Sequence, residues 1–482
     1  MTKPLEAAVA GPPQTDAAPM RAAAAHDATA AERAPHGATL PPGPRLPSIL
    51  QALQLAVRPT AYLKACQRRY GDTFTIRFPG APPIVAVAHP DAVKQVFTGG
   101  TDELHAGESN AQLGPLLGWR SLLLLDGERH LEERRLLMPP FHGERMQAYA
   151  DVMRDVTERA IARWPHGRPF RFHVEMQAIT LDVILHAVFG FTEGAEYERL
   201  RGRLRALVEV AANPLWLLPA ARIELGGLSP WARLVAARRD VERILVAEFA
   251  RRRAQPDRER NDVLSMLLEA RYEDGRAMTD EELIDEMITL LLAGHETTAT
   301  SLAWTMHHVL RDPAVLTRIR AELDEVLACR PLAAEHLPRL EYLDAVIKEG
   351  LRISPVLDDV GRLVKKPVTI AGWRLPAGVA VAPQIALVHH RQDLWREPGR
   401  FDPTRFLGVR PNPYTFFPFG GGVRRCLGMA FALYEMKVVL ACVFSKTELR
   451  LVSQRPVRAK RRAITLAPAD GVRVVQVSAG RR

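Results

Sequence analysis

The amino-acid sequence predicts a mainly α-helical fold with small β-sheets, arranged as a single large domain behind a short leader. Three observations carry this expectation. Apolar residues recur at helical spacing from about Pro90 to Leu351, in long stretches such as RLVAARRDVERILVAEFARRRAQ. Alternation of apolar and polar residues is confined to segments ahead of that region and behind it. No internal repeat and no second linker divides the 482 residues, although length alone permits one large core or several smaller ones.

Residues 1–40 are rich in Ala and Pro, with no apolar run long enough to span a bilayer and no basic-apolar-small pattern of a cleaved signal. They are expected to be a disordered leader on a soluble cytoplasmic protein, with residues 41–482 forming the domain. Order should begin at LPPGPRLP, Leu40 to Pro47, which is too proline-rich for a helix or a central strand. GDTFTIRFPGAPPIVAVAHP alternates on either side of a Gly/Pro turn and predicts a hairpin from about Thr73 to Ala88. Prolines and glycines break the helical pattern in EVAANPLWLLPAARIELGGLSPWARL, Glu209 to Leu234, which reads as a mobile lid loop between two helices.

A long helix is predicted over TDEELIDEMITLLLAGHETTATSLAWTMHHVL. It opens with a capping box, Thr279 with Glu282, and keeps a stripe through Leu283, Met287, Leu291, Gly294, Thr298 and Leu302. At about 1.5 Å per residue it spans about 45 to 50 Å, enough to cross the domain. Gly294 costs roughly 0.5 to 1 kcal/mol relative to alanine, and adjacent threonines can bond back to the preceding turn and bend the helix. Either a notch for water or oxygen, or a close helix approach, accounts for that centre. Strand signals return in KKPVTIAGWRLPAGVAVAP.

The four cysteines, Cys66, Cys329, Cys426 and Cys442, are widely spaced, so neither a disulfide framework nor structural zinc is expected. A net charge of +10 admits nucleic acid, an anionic membrane or an acidic protein as partner. The basic run RPVRAKRR, Arg455 to Arg462, has no nucleic-acid module around it and reads as a solvated surface. FPFGGGVRRCLG, Phe417 to Gly428, is more specific. Its three glycines permit a tight turn and let backbone lie flat against something large, and helical periodicity resumes at Gly428. A helix N-terminus there would stabilise a Cys426 thiolate able to ligate metal or attack an electrophile; inert packing is the plain alternative.

Phe419, Gly422, Arg424, Cys426 and Gly428 satisfy F-x-x-G-x-R-x-C-x-G, and the chain thereby resembles the cytochrome P450 superfamily. Ala293-Gly294-His295-Glu296-Thr297-Thr298 is similar to that family's oxygen-activation motif, and the motifs follow the family's order from about Leu40 to the C-terminus. The resemblance implies the cytochrome P450 fold, with haem b between the long central helix and the cysteine loop. It makes Cys426 the axial thiolate, places Phe419 near the sulfur and sets backbone N–H groups around Gly428 to temper its electron donation. Ala293 and Gly294 would border the haem, Thr297 would hydrogen-bond oxygen held at the iron, and Glu296 would feed protons. Adjacent helical residues do not face one another, so Glu296 and Thr297 would act through water or a side-chain swing. His295 is expected to face polar surroundings rather than iron.

The resemblance also assigns supporting residues. Glu349 and Arg352 form the family's E-x-x-R, with Arg405 of FDPTRF as third member of a buried network. Glu196 with Arg199, and Glu248 with Arg251, share the spacing and read as plain surface pairs. His130, where the family often has tryptophan, would hold the haem propionates together with Arg134, Arg362 and Arg424. Substrate-lining segments would contribute Leu116, Leu117, Leu290, Ala293, Val356, Leu357 and Ile464. The implied activity is that of a haem-thiolate monooxygenase, hydroxylating or epoxidising a lipophilic molecule such as a terpenoid, fatty acid or steroid. It would use O2 and electrons from a ferredoxin or flavodoxin with its reductase, docking near Arg425, Arg135 and Lys437. The chain is read as a monomer that binds no nucleic acid. A peroxide-using or isomerising haem-thiolate enzyme is the alternative, and those branches commonly lack the acid-threonine pair present here; a non-enzymatic haem-binding protein is a further one.

Overall fold

The 30-residue helix Asp280–Val309 is the element around which the others pack. It begins where the sequence puts it: the Glu282 amide donates to the Thr279 hydroxyl at 3.2 Å, and the Thr279 amide donates to the Glu282 carboxylate at 2.9 Å. Three acidic residues in its first turn and two histidines in its last follow the helix dipole. This computed structural model describes residues 40–141, 145–191, 194–213, 216, 222, 229–255 and 260–479. Residues 1–39 of the expected leader and half of the expected lid loop lie outside them. One compact unit runs from Thr39 to Arg482. No helix among the described residues is long and apolar enough to cross a membrane.

Leu283, Met287, Leu291 and Leu302 of the central helix enter a helical core, with Phe172–Ala187, Glu341–Ile353 and Met429–Lys446 packed against it. A second apolar core lies under a sheet. Thr73–Ile76 and Ile84–Val87 pair antiparallel, Thr73 opposite Val87, as the alternation requires. Ala380–Pro383 joins Ile84–Val87 in parallel, and Arg362–Val364 and Leu104–His105 complete five strands. Phe74, Val85, Val87, Val93 and Phe97 fill the space beneath. The segment KKPVTIAGWRLPAGVAVAP divides between that sheet and a separate ribbon, Val368–Ile370 with Trp373–Leu375. Ala459–Arg462 and Thr465–Pro468 form a hairpin near the C-terminus.

Two readings of surface charge are corrected. Glu248 and Arg251 do pair, yet Glu248 is buried, because Arg252 also turns inward: its Nε donates to Glu248 and its Nη1 to Asp262, which caps the following helix. Packing of the helix end on the Val263–Glu269 helix, rather than i,i+3 spacing, decides this. In RPVRAKRR, Arg455, Arg458 and Lys460 are exposed, while the hairpin carries Arg461 to Asp358 and Arg462 to Glu296.

Glu349 and Arg352 are fully buried and meet in a two-pronged pair at 2.7 and 2.8 Å. Arg352 also donates to the carbonyls of His389, Pro398 and Arg400, and the Asp402 amide donates to Glu349. Arg405 stands further off, with Nε 3.5 Å from Glu349 and no hydrogen bond to that nitrogen. Backbone groups therefore offset most of the desolvation that a third side chain was expected to offset. Arg352→Met, which strands a buried carboxylate, should lower unfolding stability by about 3–5 kcal/mol, and Arg405→Met by less than half of that. Urea titration of both variants checks the contrast; equal losses would make Arg405 an equal partner.

Glu435, in the Met429–Lys446 helix, is 0% exposed with no hydrogen bond to either oxygen, and burial pushes its carboxyl well above 4.5. The folded chain keeps this proton at pH values where the unfolded chain releases it. Stability should accordingly fall as pH rises from the ordinary carboxyl range to the raised value, by up to about 1.4 kcal/mol per pH unit. Glu435→Gln should remove that slope. Thermal melts at about pH 5 and about pH 8 should show a larger gain for the variant at the higher pH, and an equal gain at both would count against a buried proton.

Candidate active site

The cysteine loop is shaped first by Phe97. Gly420 and Gly422 sit at φ +67° and +66°, in the left-handed region open to glycine. A Cβ on Gly421 would lie 2.2 Å from the Phe97 ring, and one on Gly422 2.1 Å from the Phe97 carbonyl oxygen. The large neighbour that demands these two glycines is thus an aromatic residue of Pro90–Thr98. The Cys426 amide donates to the Phe419 carbonyl at 2.9 Å, closing the loop. Helix Met429–Lys446 then starts, with Gly428 at its cap.

Cys426 is closely surrounded by protein and still keeps solvent-accessible surface. Burial pushes its thiol up, while the Gly428 N–H, Arg134 and Arg425 pull it down without cancelling the rise. The helix N-terminus alone therefore does not make the thiolate expected from sequence. A bound cation would, since coordination deprotonates a thiol outright. All four cysteines are free.

Cations gather beside the loop. His130 and Arg134 come from helix Gly127–Leu137, Arg362 from a sheet strand, and Arg424 from the loop itself. Burial and the charges of Arg424, Arg134 and Arg362 push the His130 imidazole down to about 3, so it is a neutral donor. Arg362 is buried with a single hydrogen bond, to the Gly361 carbonyl, and burial with Arg424 lowers it to about 10. Arg424 is already engaged: it pairs with Asp126 and donates to the Leu125 and Leu122 carbonyls. Positive charge exceeds negative here, and Arg362 has no ion pair among the described residues, although the Asp126 charge reaches it. A dianionic group fits such a cradle, so the residues present suit haem propionates.

The central helix passes unbroken through its polar centre. Thr297 donates to the Ala293 carbonyl at 2.5 Å, the back-bond foreseen for threonine, and Ala293 is exposed in a helix otherwise largely buried. Gly294 answers to packing: a Cβ there would come 3.0 Å from Ile184 of helix Phe172–Ala187. His295 is buried against the same helix, 2.8 Å from the Thr180 hydroxyl, and burial pushes it down to about 3. Glu296 accepts from Gln177 at 2.6 Å and pairs with Arg462 at 3.3 Å, with His173 at 3.7 Å. Burial raises its carboxyl and Arg462 opposes the rise. Glu296 and Thr297 thus turn to different partners.

Other assigned residues are dispersed. Leu116 and Leu117 belong to the helical core, Val356 is buried, Leu290 and Leu357 are half-buried, and Ile464 is exposed next to the turn of the C-terminal hairpin. Lys437 is drawn inward, pairing with Asp344 at 3.1 Å, and Arg135 pairs with Glu273. Of the three expected docking cations, Arg425 alone has no ion pair among the described residues; its guanidinium contacts the Met429 sulfur. Sequence reasoning missed Gln177, His173 and Asp126. Asp126 had one signal, its place at the start of the segment DGERHLEERR; the two helix residues had none.

The family model of cytochrome P450 matches residues 40–471. The chain is 42% identical over 436 residues to the protein named cytochrome P450 135B1 of Mycobacterium tuberculosis, covering 90% of this chain and 91% of the relative. It is 38% identical to one named cytochrome P450 138 of Mycobacterium bovis, covering 92% and 97%. Its fold is similar to the solved structure of retinoic acid bound cyanobacterial CYP120A1, with a TM-score of 0.80, 25% identity, and coverage of 92% of this chain and 100% of that one. The accessible cysteine in its glycine-rich loop, the basic side chains gathered beside it and these matches agree: the chain belongs to the cytochrome P450 family of haem-thiolate monooxygenases.

Proposed function

We propose that residues 41–482 form a monooxygenase domain in which Cys426 ligates haem iron and a lipophilic small molecule is hydroxylated or epoxidised. One observation carries the residue assignment: an accessible cysteine with the Gly428 N–H on its sulfur, in a basic surrounding that includes a buried guanidinium, Arg362, with no ion pair among the described residues. Haem, when bound, supplies activation of O2 for insertion of one oxygen atom, with the thiolate pushing electron density onto the metal.

The chain's own residues hold and direct that chemistry. His130 offers a neutral N–H and Arg134, Arg362 and Arg424 offer charge to the two propionates, with Asp126 fixing the Arg424 fork. The Gly428 N–H draws electron density from the sulfur. Thr297 carries a hydroxyl proton that can leave the Ala293 carbonyl for an acceptor in the cleft. Glu296 is suited to hold a proton, because burial favours its neutral form. Release from Gln177 and Arg462 would let it deliver that proton through water.

Leu290, Ala293 and Leu357 keep surface available to an apolar substrate, and the similar solved structure holds retinoic acid, itself an apolar acid. These support a terpenoid, fatty acid or steroid. Electrons would come from a ferredoxin or flavodoxin approaching Arg425.

Cys426→Ser should fold and abolish both the CO-shifted Soret band and turnover. Retention of the band would remove Cys426 from its role. Thr297→Ala should keep that band while product formed per electron pair drops at least about tenfold and peroxide rises. Coupling measured with a substrate that perturbs the haem spectrum checks this, and unchanged coupling would leave Thr297 a helix-shaping residue only.

A further inference from the structure

A cavity of about 510 Å³ lies away from the cysteine loop, among the last turns of the central helix, the end of helix Glu341–Ile353 and the C-terminal hairpin. That volume is in the range of small-molecule sites, roughly 300–1,000 Å³. His307, which lines it, is ten residues beyond Thr297, about 15 Å along the helix axis.

Its apolar lining comes from Trp304, Ile353, Pro355, Phe401, Val457 and Leu466. Trp304, His308 and Phe401 are stacked, with centroids 6.3 and 5.1 Å apart and planes 25° and 14° from parallel. The rest of the lining carries donors and positive charge. His308 is satisfied by the Ser354 hydroxyl at 2.8 Å, and His390 by the Ala386 carbonyl at 2.9 Å. His307 is 3% exposed and its Nδ1 has no partner. That nitrogen is closed off from the cavity surface, so the charge offered to an occupant comes from the arginines. Arg311 has neither ion pair nor side-chain hydrogen bond among the described residues, and Arg400 only approaches Glu397 at 3.5 Å.

Charge decides what kind of occupant this lining favours. Asp312 is its one carboxylate, and that group is committed to the amides of Ala314 and Val315, which it caps. Burial, aided by Arg311, pushes His307 down to about 4 and His308 to about 3, with Asp470 acting weakly in the opposite direction on His307. A metal is not indicated: among the described residues the one trio of groups with ligating atoms close together is His105, Glu108 and Asp126, elsewhere.

We propose that this cavity is a second ligand site, separate from the haem pocket, for a small organic anion with a flat apolar body. Its charged end meets Arg311, and its body lies along Trp304, Phe401 and Leu466. The hairpin strand that supplies Ala459 to the cavity also carries Arg462 to Glu296, so an occupant rests on the element that holds this acid.

The test uses the holoprotein with 4-phenylimidazole saturating the iron and blocking the cleft above it, titrated calorimetrically with 2-naphthoate and with neutral 2-naphthamide. A single equivalent of naphthoate should bind with the Soret band unmoved, and the amide at least about tenfold more weakly. Arg311→Glu, at an exposed position, should weaken naphthoate binding at least about tenfold, and Val457→Trp should fill the cavity with the same result. Both variants should keep the wild-type CO-difference spectrum, which separates loss of this site from failure of the haem assignment. Absence of binding up to millimolar naphthoate, displacement of the iron ligand, equal binding of acid and amide, or indifference to Arg311→Glu would each overturn the proposal.

Discussion

The buried pair of Glu349 and Arg352 sets where the cysteine loop can sit. Arg352 donates to the His389 carbonyl, and the His389 ring accepts from the Phe417 amide at 3.0 Å, at the loop's first residue. His389 is fully buried and held neutral by that burial, so its Nε2 can act as the acceptor. A chain of directed bonds thus runs from a helix in the core to the backbone that ends at Cys426. An ion pair taken wholly out of water persists only if its remaining lone pairs and protons are satisfied. Here the satisfying groups are main-chain carbonyls and an amide from residues 389–402, so the same interaction that offsets desolvation also fixes the segment leading into the loop.

The pocket beside that loop is electrostatically unfinished as protein alone. Its thiol is pushed toward the neutral form, while its arginines repel one another and its histidine has lost its charge. A metal ion and a pair of anionic groups would relieve both problems together, since the cation draws the proton from sulfur and the anions answer Arg362. Haem carries both. The charges of such a group would complement those of the protein.

The central helix serves several neighbours through different faces. Ala293 and Thr297 keep accessible surface, whereas His295 and Glu296 turn toward Phe172–Ala187 and the C-terminal hairpin. Trp304, His307 and His308, two to three turns further on, line the second cavity. The helix whose centre carries Thr297 therefore also carries rings in a different environment, and the hairpin touches both regions.

Much of this was legible in sequence because it is local. The capping box, the Thr73 to Ala88 hairpin, the glycine turn at 420–422 and the start of a helix after Cys426 depend on residues within a few positions of one another, and composition fixes them. The spacing of the cysteine motif also sufficed to identify the family. Contacts between distant segments were not legible. Nothing in RPVRAKRR distinguishes Arg462, which reaches Glu296, from Arg455, which meets water; the hairpin's register decides it. Lys437 and Glu248 carry the charge pattern of surface residues, yet Glu248 is buried and Lys437 half-buried, because the face a helix hides is set by what packs on it. Only the tertiary structure could bring Phe97 under the glycines or leave Arg362 without an ion pair among the described residues, since each depends on which segments, far apart in the chain, exclude water from the same place.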